Sequence, residues 1–490
     1  MQPLDAEHCY RALCARDRRF DGIFFVAVET TGIYCRPICP VRTPARARCR
    51  FFVRAAEAEL EGFRACFRCR PERAPGLAPV DSTPRLVTRA LARIASGALD
   101  AGSVDDVARE LGVTGRHLRR AVEAAIGVSP IALAQTRRLG VAKWLIQDTS
   151  LPITDVAYTA GFASIRRFNA SFRERFGCAP TAIRRGGMDA TARDGVTLRL
   201  EARTPFAGPA LFAFLKSRAI PGVEEVSDTS YRRFARIGRC EGWIDAALAT
   251  ERPSIVTRVD ARLLPELAEV VARLRALFDL DARPDLIDAH LSTDTVLAPL
   301  VARAPGVRVP GAFDAWELAV RAVLGQQVSV RGATTVSGRL VRAFGERLPA
   351  DGAWCFPSPT ALTAASVDDV RQIGIPGARA RTIVALARAV ANGDVDLSPG
   401  ADPDTTVAAL DAVPGIGPWT AGYVAMRALR VPDSFLPDDL AAKKALGVSR
   451  AKDAARLSER WRPWRAYALM HLWSSLASRP ARVSPRSTRA

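Results

Sequence analysis

The chain has 490 residues, of which 48% are hydrophobic and 25% are charged, and its formal net charge is +19. This length suits three or four domains with sizeable cores. No apolar run reaches the roughly 18 residues of a membrane span and the first residues do not form a signal peptide, so we expect a cytoplasmic protein without a membrane partner. Positive charge is densest in the first 187 residues, which favours a polyanion partner, most commonly nucleic acid.

Seven of the ten cysteines lie within the first 69 residues. Clustered cysteines without a secretion signal favour metal or redox chemistry over disulfides. Two close pairs, Cys35 with Cys39 and Cys66 with Cys69, have the spacing of a tetrahedral zinc site. In a unit this small the metal would supply much of the folding free energy, and the many nearby arginines could contact phosphates.

The stretch FFVAVETTGIYCRPICPVR…GFRACFRCRPE, within residues 1–75, resembles the N-terminal methyl-acceptor domain of Ada-type proteins. The resemblance implies a small α+β domain in which Cys35, Cys39, Cys66 and Cys69 hold Zn²⁺. It also implies that Cys35 irreversibly accepts a methyl group from a methylated DNA phosphate, after which the protein binds DNA better. The physics agrees, because zinc keeps a thiol ionised at neutral pH and the loss of one thiolate charge weakens the repulsion of phosphates.

Residues 85–185 contain two segments, 103–130 and 151–184, that each predict a helix, a glycine turn and a second, basic helix. This is the helix-turn-helix arrangement, in which the second helix can enter the major groove. One such motif could equally be a plain helical hairpin. Two in tandem, with GF-x-S-x-x-x-F…F-x-x-x-FG-x-x-P, resemble the all-α AraC-type DNA-binding domain. The candidate DNA-contacting residues are Arg116, Arg119, Arg120, Arg166 and Arg167.

Ada-type proteins carry an AraC-type domain after their zinc unit, so the order of the units agrees with this resemblance. Such a protein would continue into a second methyltransferase domain with a PCHR motif. No PCHR motif occurs here, and Cys178, Cys240 and Cys355 all lack that context. We therefore do not expect repair of O6-methylguanine.

The stretch LDAVPGIGPWTAGYVAMRAL (410–429) predicts two helices joined by a tight turn. Gly415 and Gly417 would allow backbone amides to hold a DNA phosphate, and a monovalent cation bridging carbonyls to that phosphate is a further candidate. About 20 residues later, FLPDDLAAKK places Asp438 and Asp439 at a predicted helix start. Taken alone, such a pair would be expected to cap the helix.

The pattern from RVPGAFDAWELAVRAVLGQQVSV to RWRPWRAYALMHLW resembles the helix-hairpin-helix DNA glycosylases, and matches the AlkA type over roughly 196–475. The resemblance implies that Asp439 is the catalytic carboxylate, which would stabilise positive charge on the sugar during base excision. Helix capping would then fall to Asp438, or in part to Asp439 itself, and the sequence leaves this open. The implied substrate pocket contains Trp419, Tyr423, Trp473, Phe214 and Asp438.

Two residue types that some related glycosylases need are missing from this part of the sequence, which narrows the expected reaction. Residues 415–438 contain no lysine, so the Schiff-base nucleophile of glycosylases that also cut the backbone is missing. No cysteine follows Cys355, so we expect no iron–sulfur cluster. The sequence therefore predicts a monofunctional glycosylase that uses water.

The wedge that fills the gap left by the flipped base is apolar in the family, but GQQV (325–328) places Gln327 there, beside Gln326. A polar wedge could hydrogen-bond the orphan base. Ser474 follows Trp473 where the family has a larger aromatic residue, which could widen the pocket.

We therefore expect a multidomain protein, mostly α with α+β parts, that combines alkylated-base excision (3-methyladenine, for example) with a methyl-phosphotriester-accepting transcriptional regulator of the adaptive response. The alternative is a regulator whose glycosylase half only binds DNA. Expected partners are alkylated and promoter double-stranded DNA, with RNA polymerase as a further candidate, and we expect a monomer. The expected segments are the zinc domain (1–75), a linker (76–84), the helix-turn-helix domain (85–185), a linker (186–195), a β-containing α+β domain (196–305), the glycosylase domain (306–478) and a basic tail (479–490).

Overall fold

The computed structural model describes residues 5–76, 84–184, 195–348 and 352–477. Most of the two predicted linkers, and the whole predicted basic tail, lie outside the described residues. Among the described residues, none of the helices combines the length and the hydrophobicity of a membrane span.

The N-terminal unit is a four-stranded sheet flanked by two helices. The strand order is β3-β1-β2-β4; β1 pairs antiparallel with β2 and β3, while β2 and β4 are parallel. This agrees with the small α+β domain that the resemblance implies. The elements are α1 (Ala6–Ala15), β1 (Phe25–Val28), β2 (Ile33–Cys35), β3 (Cys49–Phe52), α2 (Ala55–Leu60) and β4 (Arg64–Ala65).

Two helix-turn-helix units follow, α5 with α6 and α8 with α9, and the long helix α7 joins them. Gly112 and Gly161 lie in the turns with φ of +73° and +89°, a backbone conformation that glycine adopts without strain. The helices are α3 (Arg85–Ala95), α4 (Ala98–Ala101), α5 (Val104–Glu110), α6 (Gly115–Ile126), α7 (Pro130–Asp148), α8 (Ile153–Thr159) and α9 (Ile165–Phe176).

The third unit is an antiparallel five-stranded sheet of order β5-β9-β8-β7-β6 with helices packed around it. Alternating residues of β5, such as Val196, Leu198 and Leu200, are buried, as the period of two in the sequence predicts. The elements are β5 (Gly195–Glu201), α10 (Gly208–Lys216), β6 (Glu224–Val226), β7 (Ser230–Ile237), β8 (Cys240–Leu248), β9 (Ser254–Asp260), α11 (Leu267–Leu277), α12 (Pro284–Leu291) and α13 (Ala298–Arg303).

The last unit is helical, apart from a pair of two-residue strands, β10 and β11. Its helices place the hairpin α19–α20 close to α21 and α23. The elements are α14 (Ala315–Leu324), α15 (Val330–Phe344), β10 (Glu346–Arg347), β11 (Trp354–Cys355), α16 (Pro359–Ala364), α17 (Val367–Arg371), α18 (Gly377–Asn392), α19 (Pro403–Asp411), α20 (Pro418–Arg427), α21 (Leu440–Leu446), α22 (Ala451–Ser458) and α23 (Arg465–Ala477).

The first three units share one continuous apolar core. It contains Phe25 from the N-terminal sheet, Leu145 and Phe172 from the helix-turn-helix units, and Leu198 and Phe212 from the third unit. Burial of apolar surface across these boundaries stabilises a fixed arrangement of the three units. The three units are therefore packed against one another and are not joined only by linkers.

Candidate functional site

Asp439 lies at the start of α21, and three N–H groups converge on its carboxylate. The backbone N–H of Ala442 donates to Oδ1 over 2.8 Å, so Asp439 is itself the N-cap of the helix. The indole Nε1 of Trp473 donates to Oδ1 over 2.9 Å, and that of Trp419 donates to Oδ2 over 3.2 Å. The capping role and the contacts to the aromatic cluster thus fall on one residue, which resolves the alternative that the sequence left open.

Asp438 differs from its neighbour in every contact. Its side chain is 70% exposed and forms an ion pair with Lys443 over 3.7 Å. An exposed pair of this kind contributes little to stability. The structure therefore separates the two aspartates: Asp439 is oriented by aromatic donors, and Asp438 faces solvent.

Four aromatic side chains from three helices form a cluster, and two of them, Trp419 and Trp473, contact the carboxylate. Trp419 and Tyr423 lie one turn apart on α20, and their rings stack at 5.3 Å with an interplanar angle of 9°. Trp473 on α23 lies 6.4 Å from Tyr423 and stacks with Phe214 of α10 at 6.3 Å and 14°. The four aromatic residues that the sequence singled out are brought together.

Two arginines lie behind these rings, Arg427 buried and Arg218 half-buried, and neither was predicted from the sequence. Arg427 donates to the Tyr423 hydroxyl over 2.7 Å, and its guanidinium lies 5.0 Å from the Phe214 ring centre. Arg218 lies 3.7 Å from the same ring centre. Burial raises the pKa of Tyr423, but Arg427 and Arg218 more than offset this, so the pKa is lowered. Tyr423 and Arg427 lie four residues apart on α20, so helical spacing could have signalled that contact. Arg218 lies just beyond the end of α10, where helical spacing gives no such signal.

The hairpin between α19 and α20 has the tight turn that the sequence predicts. Gly415 has a φ of +90°, and a Cβ atom there would lie 1.9 Å from Oγ1 of Thr382, so only glycine fits. Gly417 is the N-cap residue of α20. The turn is thereby held close to α18.

The two glutamines between α14 and α15 have different surroundings. The Gln326 side-chain amide donates to the Gly415 carbonyl and to the Thr420 hydroxyl, each over 3.0 Å. Gln327 is exposed and has a φ of +55°, which is uncommon for a residue with a side chain. Gln326 therefore stabilises the α19–α20 hairpin through hydrogen bonds. Gln327 is exposed on a turn whose positive φ is unfavourable for a residue with a side chain.

The four cysteines of the N-terminal unit form one cluster. Their Sγ atoms all lie within 4.8 Å of one another, and all four residues are buried. The parallel pairing of β2 with β4 places Cys35 beside Cys66, and the turns that follow bring in Cys39 and Cys69. Sulfur ligands at the corners of a zinc tetrahedron would lie roughly 3.8 Å apart for a zinc–sulfur distance of about 2.3 Å. The geometry and the soft donor set both fit Zn²⁺.

The four sulfurs differ in their hydrogen bonds. The backbone N–H of Arg36 donates to Sγ of Cys69 over 3.4 Å, and that of Arg68 donates to Sγ of Cys66 over 3.3 Å. Within the described part of the chain, no backbone hydrogen bond to Sγ of Cys35 is found. An N–H donor withdraws charge from a thiolate, so Cys35 would keep more of its negative charge than Cys66 or Cys69.

Four of the five arginines predicted to contact DNA are exposed on the helix-turn-helix units. Arg116 and Arg120 on α6 are exposed, as are Arg166 and Arg167 on α9. Arg119 is half-buried. It forms an ion pair with Asp105 over 3.3 Å, so it is the least available of the five arginines for a phosphate.

These features define a class of protein: a DNA-binding repair protein with a four-cysteine metal unit at one end and a helix-hairpin-helix base-excision fold at the other. Four family models match the chain in that order. They are the metal-binding domain of Ada (residues 8–72), a helix-turn-helix domain (107–186), the AlkA N-terminal domain (197–314) and the HhH-GPD superfamily of base excision DNA repair proteins (320–462).

Three curated relatives narrow the class. The "Probable bifunctional transcriptional activator/DNA repair enzyme AlkA" of Mycobacterium tuberculosis is 43% identical over 482 residues, which cover 96% of this chain and 97% of the relative. The "DNA-3-methyladenine glycosylase 2" of Escherichia coli is 36% identical over 55% of this chain and 94% of its own length. The "Bifunctional transcriptional activator/DNA repair enzyme Ada" of Escherichia coli is 31% identical over 38% of this chain and 50% of its own length. The chain belongs to the family of bifunctional transcriptional activator/DNA repair proteins in which an Ada-type half is fused to an AlkA-type glycosylase.

Proposed function

We propose that this protein excises alkylated bases such as 3-methyladenine from DNA and that Asp439 is the carboxylate that makes excision possible. The observation that carries the proposal is the convergence of two indole N–H groups and one backbone amide on the Asp439 carboxylate. A carboxylate held in one orientation stabilises positive charge that develops nearby, without reorganising during the reaction.

The reaction follows from this placement. The glycosidic bond breaks with its electron pair leaving on the base, and positive charge builds on the sugar, where Asp439 stabilises it. Water then adds to the anomeric carbon and loses a proton. No lysine occupies residues 415–438, and Trp419 in this segment bonds to the carboxylate, so we propose hydrolysis without backbone cleavage.

The aromatic rings are the proposed recognition surface for the flipped base. A cationic alkylated base stacks best on an electron-rich face that carries no other cation. In the described part of the chain, arginine guanidinium groups lie over the rings of Phe214 and Tyr423. No arginine or lysine lies over the rings of Trp419 and Trp473 in the same residues. We therefore assign the contact with a cationic base to the two tryptophans. Asp438, which was predicted to line the pocket, is exposed and paired with Lys443, so we leave it outside the pocket.

The α19–α20 hairpin and the turn between α14 and α15 are the proposed contacts to the DNA. Gly415 and Gly417 let amide groups approach a phosphate, and Gln327 is exposed where a side chain could fill the gap left by the flipped base. The Gly415 carbonyl already accepts from Gln326. A monovalent cation at the hairpin would have to share that oxygen.

For the N-terminal unit we propose that Cys35, Cys39, Cys66 and Cys69 hold Zn²⁺ and that Cys35 accepts the methyl group of a methylated DNA phosphate. Bound zinc would keep the thiols ionised. In the described residues, backbone hydrogen bonds withdraw charge from Cys66 and Cys69 but not from Cys35, which favours Cys35 over those two as the nucleophile. The carbon–oxygen bond to the phosphate breaks as the carbon–sulfur bond forms, leaving an unmethylated phosphate and an uncharged thioether.

The exposed arginines of α6 and α9 are the proposed contacts to promoter DNA, and loss of one thiolate charge after methyl transfer would strengthen that binding. Activation of transcription gives RNA polymerase as a candidate partner. We propose that the protein acts as a monomer, with the domain boundaries given above.

The test of the glycosylase proposal is single-turnover release of 3-methyladenine from methylated DNA. Asn retains the shape and capping ability of Asp but not its charge, so Asp439→Asn should slow release by at least about 10²-fold. The matched control is Asp438→Asn, which removes an exposed ion pair and should leave the rate near that of the wild type. Full activity in Asp439→Asn would contradict the assignment.

A further inference from the structure

A buried charged cluster joins the four-cysteine unit to the glycosylase half. At its centre is Arg36, which follows Cys35 and is 2% exposed. Its backbone N–H donates to Sγ of Cys69, and its guanidinium donates to the Cys69 carbonyl over 3.2 Å. One residue therefore fixes the position of Cys69 relative to Cys35.

A buried guanidinium needs hydrogen-bond acceptors or opposite charges around it to offset the loss of its hydration. Two carboxylates fill this role here. Asp21, from the cysteine unit itself, accepts from Nε of Arg36 over 2.8 Å. The second is Glu201 at the end of β5, which belongs to the glycosylase half and forms an ion pair with the same guanidinium. Asp21 and Glu201 are 5% and 9% exposed, so the whole cluster lies away from water.

The same strand end holds Asp21 in place through a second arginine. Arg203, which is 1% exposed, donates from Nε to the Asp21 backbone carbonyl over 3.0 Å. It also donates to the carbonyls of Gly76 and Asp281, each over 2.6 Å. The glycosylase half therefore fixes both carboxylates of Arg36, one directly and the other through its backbone.

We infer that Glu201 is a positioning residue for the methyl-acceptor site, so that the glycosylase half completes the zinc unit instead of merely being tethered to it. The inference rests on the proposed methyl transfer to Cys35, but its first readout is metal retention. Residues that orient metal ligands through hydrogen bonds typically change metal affinity or activity by 10–100-fold when they are altered.

The test uses the full-length zinc-loaded protein and its Glu201→Gln variant, which keeps the size of the side chain and removes its charge. We expect zinc to pass to a colorimetric chelator about 10-fold faster, and methyl transfer from methyl-phosphotriester DNA to slow by a similar factor. Release of 3-methyladenine should stay at the wild-type rate, because Glu201 has no contact with the Asp439 pocket in the described structure.

Two further variants keep the test decisive. Glu225→Gln alters an exposed carboxylate on β6 of the same sheet and should behave as the wild type. Glu201→Asp keeps the charge and should recover most of the zinc retention; it also serves as the informative variant if Glu201→Gln does not fold. Zinc loss from Glu201→Gln at the wild-type rate, or equally fast loss from Glu201→Asp, would overturn the inference. Altered zinc loss in a protein whose wild type accepts no methyl group would instead support the positioning role and refute the methyl-transfer proposal.

Discussion

The four-cysteine site and the Asp439 pocket are built in opposite ways. The thiol cluster is local: all four ligands lie within 35 consecutive residues and come from two neighbouring strands and the turns after them. The pocket is distributed, because its aromatic walls extend from Phe214 to Trp473 and come from three helices. A local site can be recognised from its spacing alone, whereas a distributed site acquires meaning only when the fold assembles it.

The difference also concerns what holds each site together. The pocket consists of packed rings and hydrogen bonds supplied by the chain. The thiol cluster brings together four ionisable sulfurs that need a cation to neutralise them. We therefore expect the two sites to respond differently to metal removal and to substitution.

The largest expected difference is the response to metal removal. Stripping zinc with a chelator should abolish methyl transfer and locally unfold the turns that carry the four cysteines, because structural zinc contributes on the order of 10 kcal/mol to such sites. Base release should persist, since the hydrogen bonds to the Asp439 carboxylate in the described structure come from the glycosylase half. Proteolysis of the N-terminal unit and base release can be followed in one sample. Loss of base release together with methyl transfer would contradict the claim that the Asp439 pocket does not depend on the metal.

The next prediction tests the orientation of the carboxylate. Trp473→Phe keeps an aromatic ring but removes the Nε1 donor to Asp439. A hydrogen bond to a charged group contributes about 1.5–3 kcal/mol, so single-turnover base release should slow by roughly 10–100-fold. Trp316→Phe removes an indole donor that bonds to the Pro357 carbonyl outside the pocket, and it should have little effect. If both variants slowed base release equally, the cause would be general destabilisation.

A smaller effect is expected for the charge behind the rings. Arg218→Met removes the guanidinium that lies 3.7 Å from the Phe214 ring centre. Less positive potential should favour a cationic base over a neutral one, by about 1 kcal/mol or roughly five-fold. The measurement is the ratio of the release rates of 3-methyladenine and of hypoxanthine, which is uncharged in DNA. An unchanged ratio would show that Arg218 plays no part in selecting the base.

The smallest expected effect separates the two roles of Asp439. Asp439→Ala removes the N-cap of α21 and should cost about 1 kcal/mol of local stability, whereas Asp439→Asn should cost almost none. Hydrogen exchange of the Ala442 amide, which bonds to the cap, measures this directly. Equal protection in the two variants would mean that the cap contributes nothing to the helix.

Much of this arrangement could be predicted from the sequence, because spacing and glycine positions encode it. The cysteine pairs, the two glycine turns of the helix-turn-helix units and the Gly415 turn are all local signals. The pocket aromatics were identified only through a family resemblance, since a lone Trp473 or Phe214 is indistinguishable from a core residue. Arg36 and Glu201, 165 residues apart in the chain, could not be paired in advance. Their contact depends on how two domains dock, and no pattern within either domain specifies it.

The most direct test of the central claim, that one chain carries two separate alkyl-removing chemistries, is a single assay on DNA with radiolabelled methyl groups on both bases and phosphates. The wild type should show label on the protein and label in released bases. Cys35→Ser should release bases but remain unlabelled, and Asp439→Asn should become labelled but release almost none. Label on Cys35→Ser, or undiminished base release by Asp439→Asn, would contradict the account.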